Sequence, residues 1–238
     1  MSTNNEPNSQ SINAVKPIYS ITPFTLLDYP DKTACILWFA GCNMRCVYCY
    51  NPDIVLGKGK FSFESVLQFL KTRKGLLDGV VLSGGECTLH PNIIFLIKEI
   101  KKMGMKIKID TNGSKPNVLR KLIDEKLIDY LALDFKALDH KYYATTKSNL
   151  FNQFKKSLDL LVESKISFEV RTTLHSNLIN QEDIKCMISI LEDADYTGSY
   201  YLQNYMNDVE TIGNIQNSTK MHIDLTLLNS KLDILFRN

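Results

Sequence analysis

From Lys32 onward, short β-rich apolar runs alternate with segments of helical period. Runs of this kind at 33–39, 79–82, 106–109, 130–133, 166–173 and 200–205 predict strands. The intervening segments 64–74, 92–103, 117–125, 150–164 and 182–191 predict helices. In the first, Val66, Leu67, Phe69 and Leu70 make the apolar stripe; Gly104 stands where a C-cap closes the second, and Pro116 opens the third. Beyond Met206 the pattern blurs. Residues 1–16, rich in Ser and Asn, read as a disordered tail, 17–206 as one domain, and 207–238 as an extension of uncertain structure.

Six strand–helix units imply a parallel sheet. With right-handed crossovers a curling sheet keeps all its helices on one face. Eight units would close a full barrel, so six predict a partial (β/α)6 barrel, open on one side. A flat doubly wound sheet is the alternative, and periodicity does not separate the two. The polar motifs fall at equivalent places. The first strand ends in Cys42-Asn-Met-Arg-Cys46-Val-Tyr-Cys49, the second in Ser83-Gly84-Gly85-Glu86, and the third in Asp110-Thr111-Asn112-Gly113. The fourth ends in Asp134-Phe135-Lys136, and the fifth carries Arg171 and then His175. In a barrel these are all C-terminal strand ends, where active sites gather, so the motifs converge in space.

The cysteine loop narrows the chemistry. Its C-x3-C-x2-C spacing puts three thiolates on one tight turn, and thiolates select soft metals and iron–sulfur clusters. A [4Fe–4S] cube normally takes four cysteines; three leave one iron open to a ligand. A structural zinc site is the competing reading, but zinc ribbons use two C-x2-C knuckles and no histidine lies near the loop. A disulfide framework fits less well without a signal peptide. The 238 residues are 44% hydrophobic with a net charge of +2, which marks neither a nucleic-acid nor a membrane binder. The apolar run 34–40 is far too short to span a bilayer, and a cytoplasmic location is expected. A basic run from Lys98 to Lys108 reads as a solvated helix face.

Each remaining motif has two readings. Gly84 and Gly85 let backbone approach a ligand, or make an ordinary strand-end turn. Glu86 could accept from an ammonium group. Asp110 and Asp134 could share a cation or bind ribose hydroxyls, and either Asp110 or Asn112 could instead cap a helix. Arg171 offers a bidentate grip on a carboxylate or a structural ion pair. Lys136 divides between a ligand carboxylate and an internal pair. His175, Cys35, Cys87 and Cys186 read as structural, although Cys87 lies near the proposed site.

This set of motifs resembles the radical S-adenosylmethionine (SAM) superfamily. The resemblance implies a partial TIM-like barrel of the radical SAM type and a [4Fe–4S] cluster on Cys42, Cys46 and Cys49. S-adenosylmethionine would chelate the fourth iron. It would be held by Gly84-Gly85-Glu86 at its amine, by Tyr48 at adenine, and by Asp110, Thr111 and Asn112 at ribose and methionyl groups. Asp134, Lys136 and Arg171 complete the expected contacts. Asp110, Thr111 and Asp134 match residues that also hold a monovalent cation in glycyl-radical activating enzymes.

Thr22-Pro-Phe-Thr-Leu-Leu-Asp-Tyr-Pro-Asp-Lys-Thr-Ala34, Cys49-Tyr-Asn-Pro52 and Arg171-Thr-Thr173 are similar to anaerobic ribonucleoside-triphosphate reductase activating proteins. The likeness runs from about Ser20 to Met206, with Tyr50 where many relatives have His and Cys87 where Pro is usual. It implies reductive cleavage of S-adenosylmethionine to a 5′-deoxyadenosyl radical. The radical would take an α-hydrogen from a glycine of the reductase large subunit, with flavodoxin or ferredoxin as electron donor. No nucleic-acid or membrane partner is implied. Pyruvate formate-lyase activators share much of these segments. A small-molecule radical enzyme such as a deazapurine synthase, and a non-enzymatic electron-transfer or sensor module, are the other readings.

Overall fold

The computed structural model describes residues 15–221, 223–224 and 230–237, so all but the last two residues of the expected N-terminal tail lie outside the described residues. The elements run β1 (Ile18–Thr25), β2 (Ala34–Phe39), α1 (Pro52–Leu56), α2 (Phe63–Lys71), β3 (Gly79–Gly84), a 3-10 turn (Cys87–Leu89), α3 (Ile93–Lys102), β4 (Lys106–Thr111) and α4 (Pro116–Asp124). They continue as β5 (Tyr130–Asp134), α5 (Asp139–Thr146), α6 (Phe151–Ser164), β6 (Phe168–Leu174), α7 (Gln181–Asp193), β7 (Ser199–Asn204) and β8 (Asp233–Arg237). Local chemistry sets the helix starts. Ser62 accepts from the Ser65 amide ahead of α2, Pro116 opens α4, and Asn180 with Asp183 forms a capping box on α7.

The eight strands form one sheet in sequence order, β1 antiparallel to β2 and every later pair parallel. Sequential order excludes the doubly wound alternative, which reverses at a switch point. One face of the sheet carries Leu37, Leu82, Ile109 and Leu133, which share a core with Val66, Leu96, Leu119 and Leu158 of the helices. The opposite face carries Ile36 and Val81 low down, packed with Tyr29, and buried polar residues such as Lys108 and Glu169.

The sheet is strongly curled. One cavity of about 270 Å³ is lined by Trp38 of β2 and Gln203 of β7, and by residues of every strand between them. In a flat sheet these two strands would stand roughly 24 Å apart at the usual strand spacing. All six predicted strands are present, and β1 and β8 extend the partial barrel at its two edges. β8 therefore gives the C-terminal extension a place in the same sheet.

Two readings are corrected. In the basic run, Lys98, Lys101, Lys102 and Lys106 do form surface ion pairs, but Lys108 is only 2% exposed because it lies two residues further along β4 than Lys106, inside the barrel. Cys186 is exposed on α7 rather than packed, whereas Cys35 and Cys87 are buried. No helix among the described residues is long and apolar enough to cross a membrane.

Candidate active site

The cysteine loop leaves β2 at Ala40 and is fastened on three sides by backbone. Its Arg45 and Val47 amides donate to the carbonyls of Thr146 and Thr145 at the end of α5, at 2.8 and 2.9 Å. On another side, the Ile212 and Gly213 amides donate to the carbonyls of Cys49 and Val47 at 3.1 and 3.0 Å. The glycine pair closes the third side. Gly85 and Glu86 donate to the carbonyls of Phe39 and Gly41, both at 2.9 Å. Gly84 adopts a φ of +113°, and a Cβ on Gly85 would lie 1.9 Å from the Gly41 oxygen. The glycines are thus required by the close approach of β3 to the start of the cysteine loop.

All three cysteines of the motif line the cavity, with Tyr48, Gly84, Gly85, Asp110, Thr111, Asn112, Asp134, Lys136 and Arg171. Every predicted site residue is therefore gathered there except Glu86. That side chain is 1% exposed and does not line the cavity. Its oxygens accept from the Thr88 amide and hydroxyl, the Thr111 hydroxyl at 2.9 Å and the Asn112 amide at 2.7 Å. Through these bonds Glu86 ties the end of β3 to the end of β4. Burial pushes its pKa up despite those four bonds.

Burial and the nearby Glu86 carboxylate push the Cys42 thiol up to about 12, and burial pushes Cys46 up to about 11. Neither ionises unaided at neutral pH, so the positive charge that makes them thiolates must come with what they bind. Among the described residues no three His, Cys, Asp or Glu side chains converge as the ligands of a single ion do. A cube, which takes one thiolate on each of three irons, asks for sulfurs set further apart, and the three thiols around one cavity fit it better than they fit zinc.

The floor of the cavity is charged. Arg171 donates to Asp134 Oδ1 through Nε and Nη2, both at 3.0 Å, and Lys136 Nζ donates to Asp134 Oδ2 at 3.0 Å. Arg171 Nη1 lies 3.7 Å from Asp110 Oδ2. Burial opposes both carboxylates, but Lys108 and Arg171 outweigh it and bring Asp110 down to about 2, and Arg171 and Lys136 hold Asp134 low. Burial also opposes the Lys136 ammonium, which Asp134 more than offsets. Lys136 sits 5.9 Å above the centre of the Tyr48 ring. His175 is fully buried with Nε2 at 2.8 Å from the Gln216 carbonyl, a structural histidine as expected.

Sequence reasoning missed Asn43, Ser114 and Lys108. Asn43 donates to Ser114 at 2.8 Å and accepts from Asn112 at 3.0 Å, which fastens the cysteine loop to β4. Ser114 lies just past the strand-end motif, the one signal that could have found it. Asn43 and Lys108 had no signal beyond their neighbours.

The model of the Radical SAM superfamily matches residues 36–194. A relative from Methanocaldococcus jannaschii named "Putative glycyl-radical enzyme activating enzyme MJ1227" is 34% identical over 188 residues, 75% of this chain and 76% of that protein. A pyruvate formate-lyase-activating enzyme of Clostridium pasteurianum is 37% identical over 103 residues, 40% of this chain and 43% of its own. Among solved structures, Streptococcus suis SuiB bound to S-adenosylmethionine superposes with a TM-score of 0.62 at 15% identity, over 83% of this chain and 48% of that one, and shows the same fold. With the greater part of its length matched, the chain belongs to the radical SAM superfamily, enzymes that use a [4Fe–4S] cluster and S-adenosylmethionine.

Proposed function

We propose that this protein is a glycyl-radical enzyme activase, with the large subunit of anaerobic ribonucleoside-triphosphate reductase as its target. The observation that carries the reading is the convergence of three thiols from one loop on a cavity whose floor holds Lys136, Arg171 and their carboxylates. Cys42, Cys46 and Cys49 would hold the cluster. When bound, the cluster and its cofactor supply one-electron chemistry that takes a hydrogen atom from an unactivated C–H bond.

The chain's own residues do the rest. Gly84 and Gly85 line the cavity with backbone alone, which a ligand would meet directly. Tyr48, buried beside Lys136, gives a flat wall for an adenine ring. Lys136 and Arg171 offer positive charge to a carboxylate, and Asp110, Thr111 and Asn112 offer acceptors and an amide to sugar hydroxyls. Ile212 and Gly213, whose amides donate to the carbonyls of Cys49 and Val47, cover the cysteine loop on that side.

A polypeptide substrate agrees with the sheet order, in which β1 and β8 are the two ends and no pairing joins them among the described residues. The reductase is favoured by the Thr22–Ala34 and Arg171–Thr173 segments. The stretch resembling a pyruvate formate-lyase activator supports that enzyme as the second candidate target.

The test is anaerobic reconstitution with iron and sulfide, then reduction with S-adenosylmethionine beside each purified candidate. Deoxyadenosine plus a glycyl signal in the electron paramagnetic resonance spectrum of the reductase is the expected result. A signal on pyruvate formate-lyase alone moves the target. Deoxyadenosine with neither signal removes the activase reading.

A further inference from the structure

A buried lysine lies beneath the cavity and plays no part in the contacts assigned so far. Lys108 precedes Asp110 by two residues on β4, so both side chains point to the barrel interior. The Lys108 side chain is 3% exposed, and its Nζ lies 2.5 Å from Asp110 Oδ1. Lys108 does not line the cavity; Asp110 does. A buried ammonium costs several kcal/mol unless it is paired, so its presence here calls for a reason beyond solubility.

The neighbours supply one. Lys108, Asp110, Arg171, Asp134 and Lys136 form a chain of alternating charge in which three cations face two carboxylates. Each carboxylate oxygen has at least one donor. Asp110 Oδ1 accepts from Lys108, and Oδ2 accepts from Ser83 at 3.0 Å and faces Arg171. Asp134 Oδ1 accepts from Arg171 and Oδ2 from Lys136. The Thr111 hydroxyl donates to Glu86 and to no member of the chain. A hard cation needs oxygen lone pairs turned toward it. Here Lys108, Arg171 and Lys136 already outnumber the two carboxylates, so a further cation would enter a pocket whose charge is balanced without it; Asp110, Thr111 and Asp134 therefore do not fit the monovalent cation that the family resemblance implied for them.

We propose that Lys108 is the built-in monovalent cation of this pocket. It carries the same single positive charge as a potassium ion, tethered to β4 and shielded from exchange. It holds Asp110 ionised and oriented, which leaves Arg171 and Lys136 to balance the carboxylate of an amino-acid-like ligand. Lys108 is a positioning residue, since it acts through Asp110. The inference rests on the reading of the cavity as the S-adenosylmethionine site. It carries a consequence: ligand binding needs no added alkali ion.

The experiment is equilibrium dialysis of radiolabelled S-adenosylmethionine against the cluster-loaded protein. Tetramethylammonium is the sole buffer cation in one series, and potassium replaces it at equal ionic strength in the other. The wild type should bind with the same affinity, within twofold, in both. Lys108→Ala should bind at least tenfold more weakly in tetramethylammonium and regain affinity with potassium or methylammonium, which fit the vacated space. Lys108→Met fills that space without charge and should not regain it. A purely structural lysine would lower thermal stability in both variants with no cation-dependent recovery, which overturns the proposal. So does a wild type that needs potassium, and that series decides the matter even if the variants fail to fold. Binding in no buffer, at full iron and sulfide content, removes the S-adenosylmethionine reading of the cavity and this inference with it.

Discussion

The side-chain amide of Asn112 donates to the sulfur of Cys42 at 3.8 Å, while its oxygen accepts from the Ser114 amide at 2.9 Å. Donors aimed at a ligating sulfur stabilise the extra electron of a reduced cluster and raise its potential. Asn112→Asp keeps the shape and the Ser114 contact and replaces the donor with a negative charge; the fastening to the loop survives if Asn43 turns its amide to donate to the new carboxylate and accepts from the Ser114 hydroxyl. The cluster should still assemble, with iron content unchanged, and its midpoint potential should become more negative in a dithionite titration followed by electron paramagnetic resonance. An unchanged midpoint would mean that Asn112 acts only on the loop backbone.

Gly85 presents a sharper case. A methyl group there meets the Gly41 carbonyl at 1.9 Å and Cys42 Cβ at 3.3 Å, and both belong to the cysteine loop. Gly85→Ala should cost on the order of 3 kcal/mol in urea unfolding and leave the protein unable to retain a full complement of iron. Gly104→Ala is the control. No heavy atom lies within 4 Å of the new methyl, and although its φ of +86° adds strain, iron retention should be unaffected.

On the other side of the loop, a Cβ on Gly213 would stand 2.6 Å from Val47 Cβ and 2.7 Å from its carbonyl oxygen. Gly213→Ala should lift the 211–213 segment off the cysteine loop while leaving the sheet intact. The expected outcome is a several-fold faster loss of iron to a chelator with little change in melting temperature. Equal rates would show that the segment does not guard the loop.

The parallel strands and the cavity residues were legible because burial and chemistry both mark them. β2 to β7 are apolar runs, and their polar residues cluster just past the C-terminal ends, so Cys42, Asp110, Asp134 and Arg171 could be placed together before any coordinates. The edges were not legible. β1 is half exposed with Thr22 and Pro23 inside it, and β8 is five residues long and mostly solvent-facing, so neither carries a strong period. α5, with the sequence DHKYYATT, has no apolar stripe, yet its last carbonyls hold the cysteine loop. Lys108 was hidden by its neighbours. Four surface lysines precede it, and the last of them, Lys106, shares its face of β4 but sits at the exposed start of the strand, whereas Lys108 lies inside the barrel.

β8 is held by chemistry rather than by an apolar face. Arg237 donates through Nη1 and Nη2 to the two oxygens of Glu169 on β6, at 2.9 and 3.1 Å, and stacks 3.4 Å above the Tyr201 ring. Glu169 is 1% exposed, and Arg237 still reaches water. Arg237→Ala therefore leaves a buried carboxylate without its cation, with the Tyr130 hydroxyl still donating at 3.2 Å, and should cost about 3 kcal/mol. Glu169→Gln leaves an arginine that solvent can take up and should cost clearly less. Urea unfolding of the two single variants and the double variant measures the asymmetry; equal single costs would mean that water reaches Glu169.

Asp110 gives the pH dependence a definite sign. Its carboxyl lies at about 2 in the folded protein against an ordinary value of 3.8, because Lys108 and Arg171 outweigh burial. A folded-state pKa below the unfolded one contributes stability that is fully present above the unfolded value and is lost as pH falls through the folded one. The depression corresponds to a contribution on the order of 2 kcal/mol. Asp110→Asn removes this contribution while leaving Lys108 buried. The stability gap between wild type and variant should be constant from about pH 5 upward and should narrow between about pH 4 and pH 2. Urea unfolding across that range measures the gap, and a carboxyl carbon NMR titration of the wild type locates the proton directly. A gap that stays constant to pH 2, or an Asp110 that titrates near 4, would dissolve the charge chain on which the role of Lys108 depends.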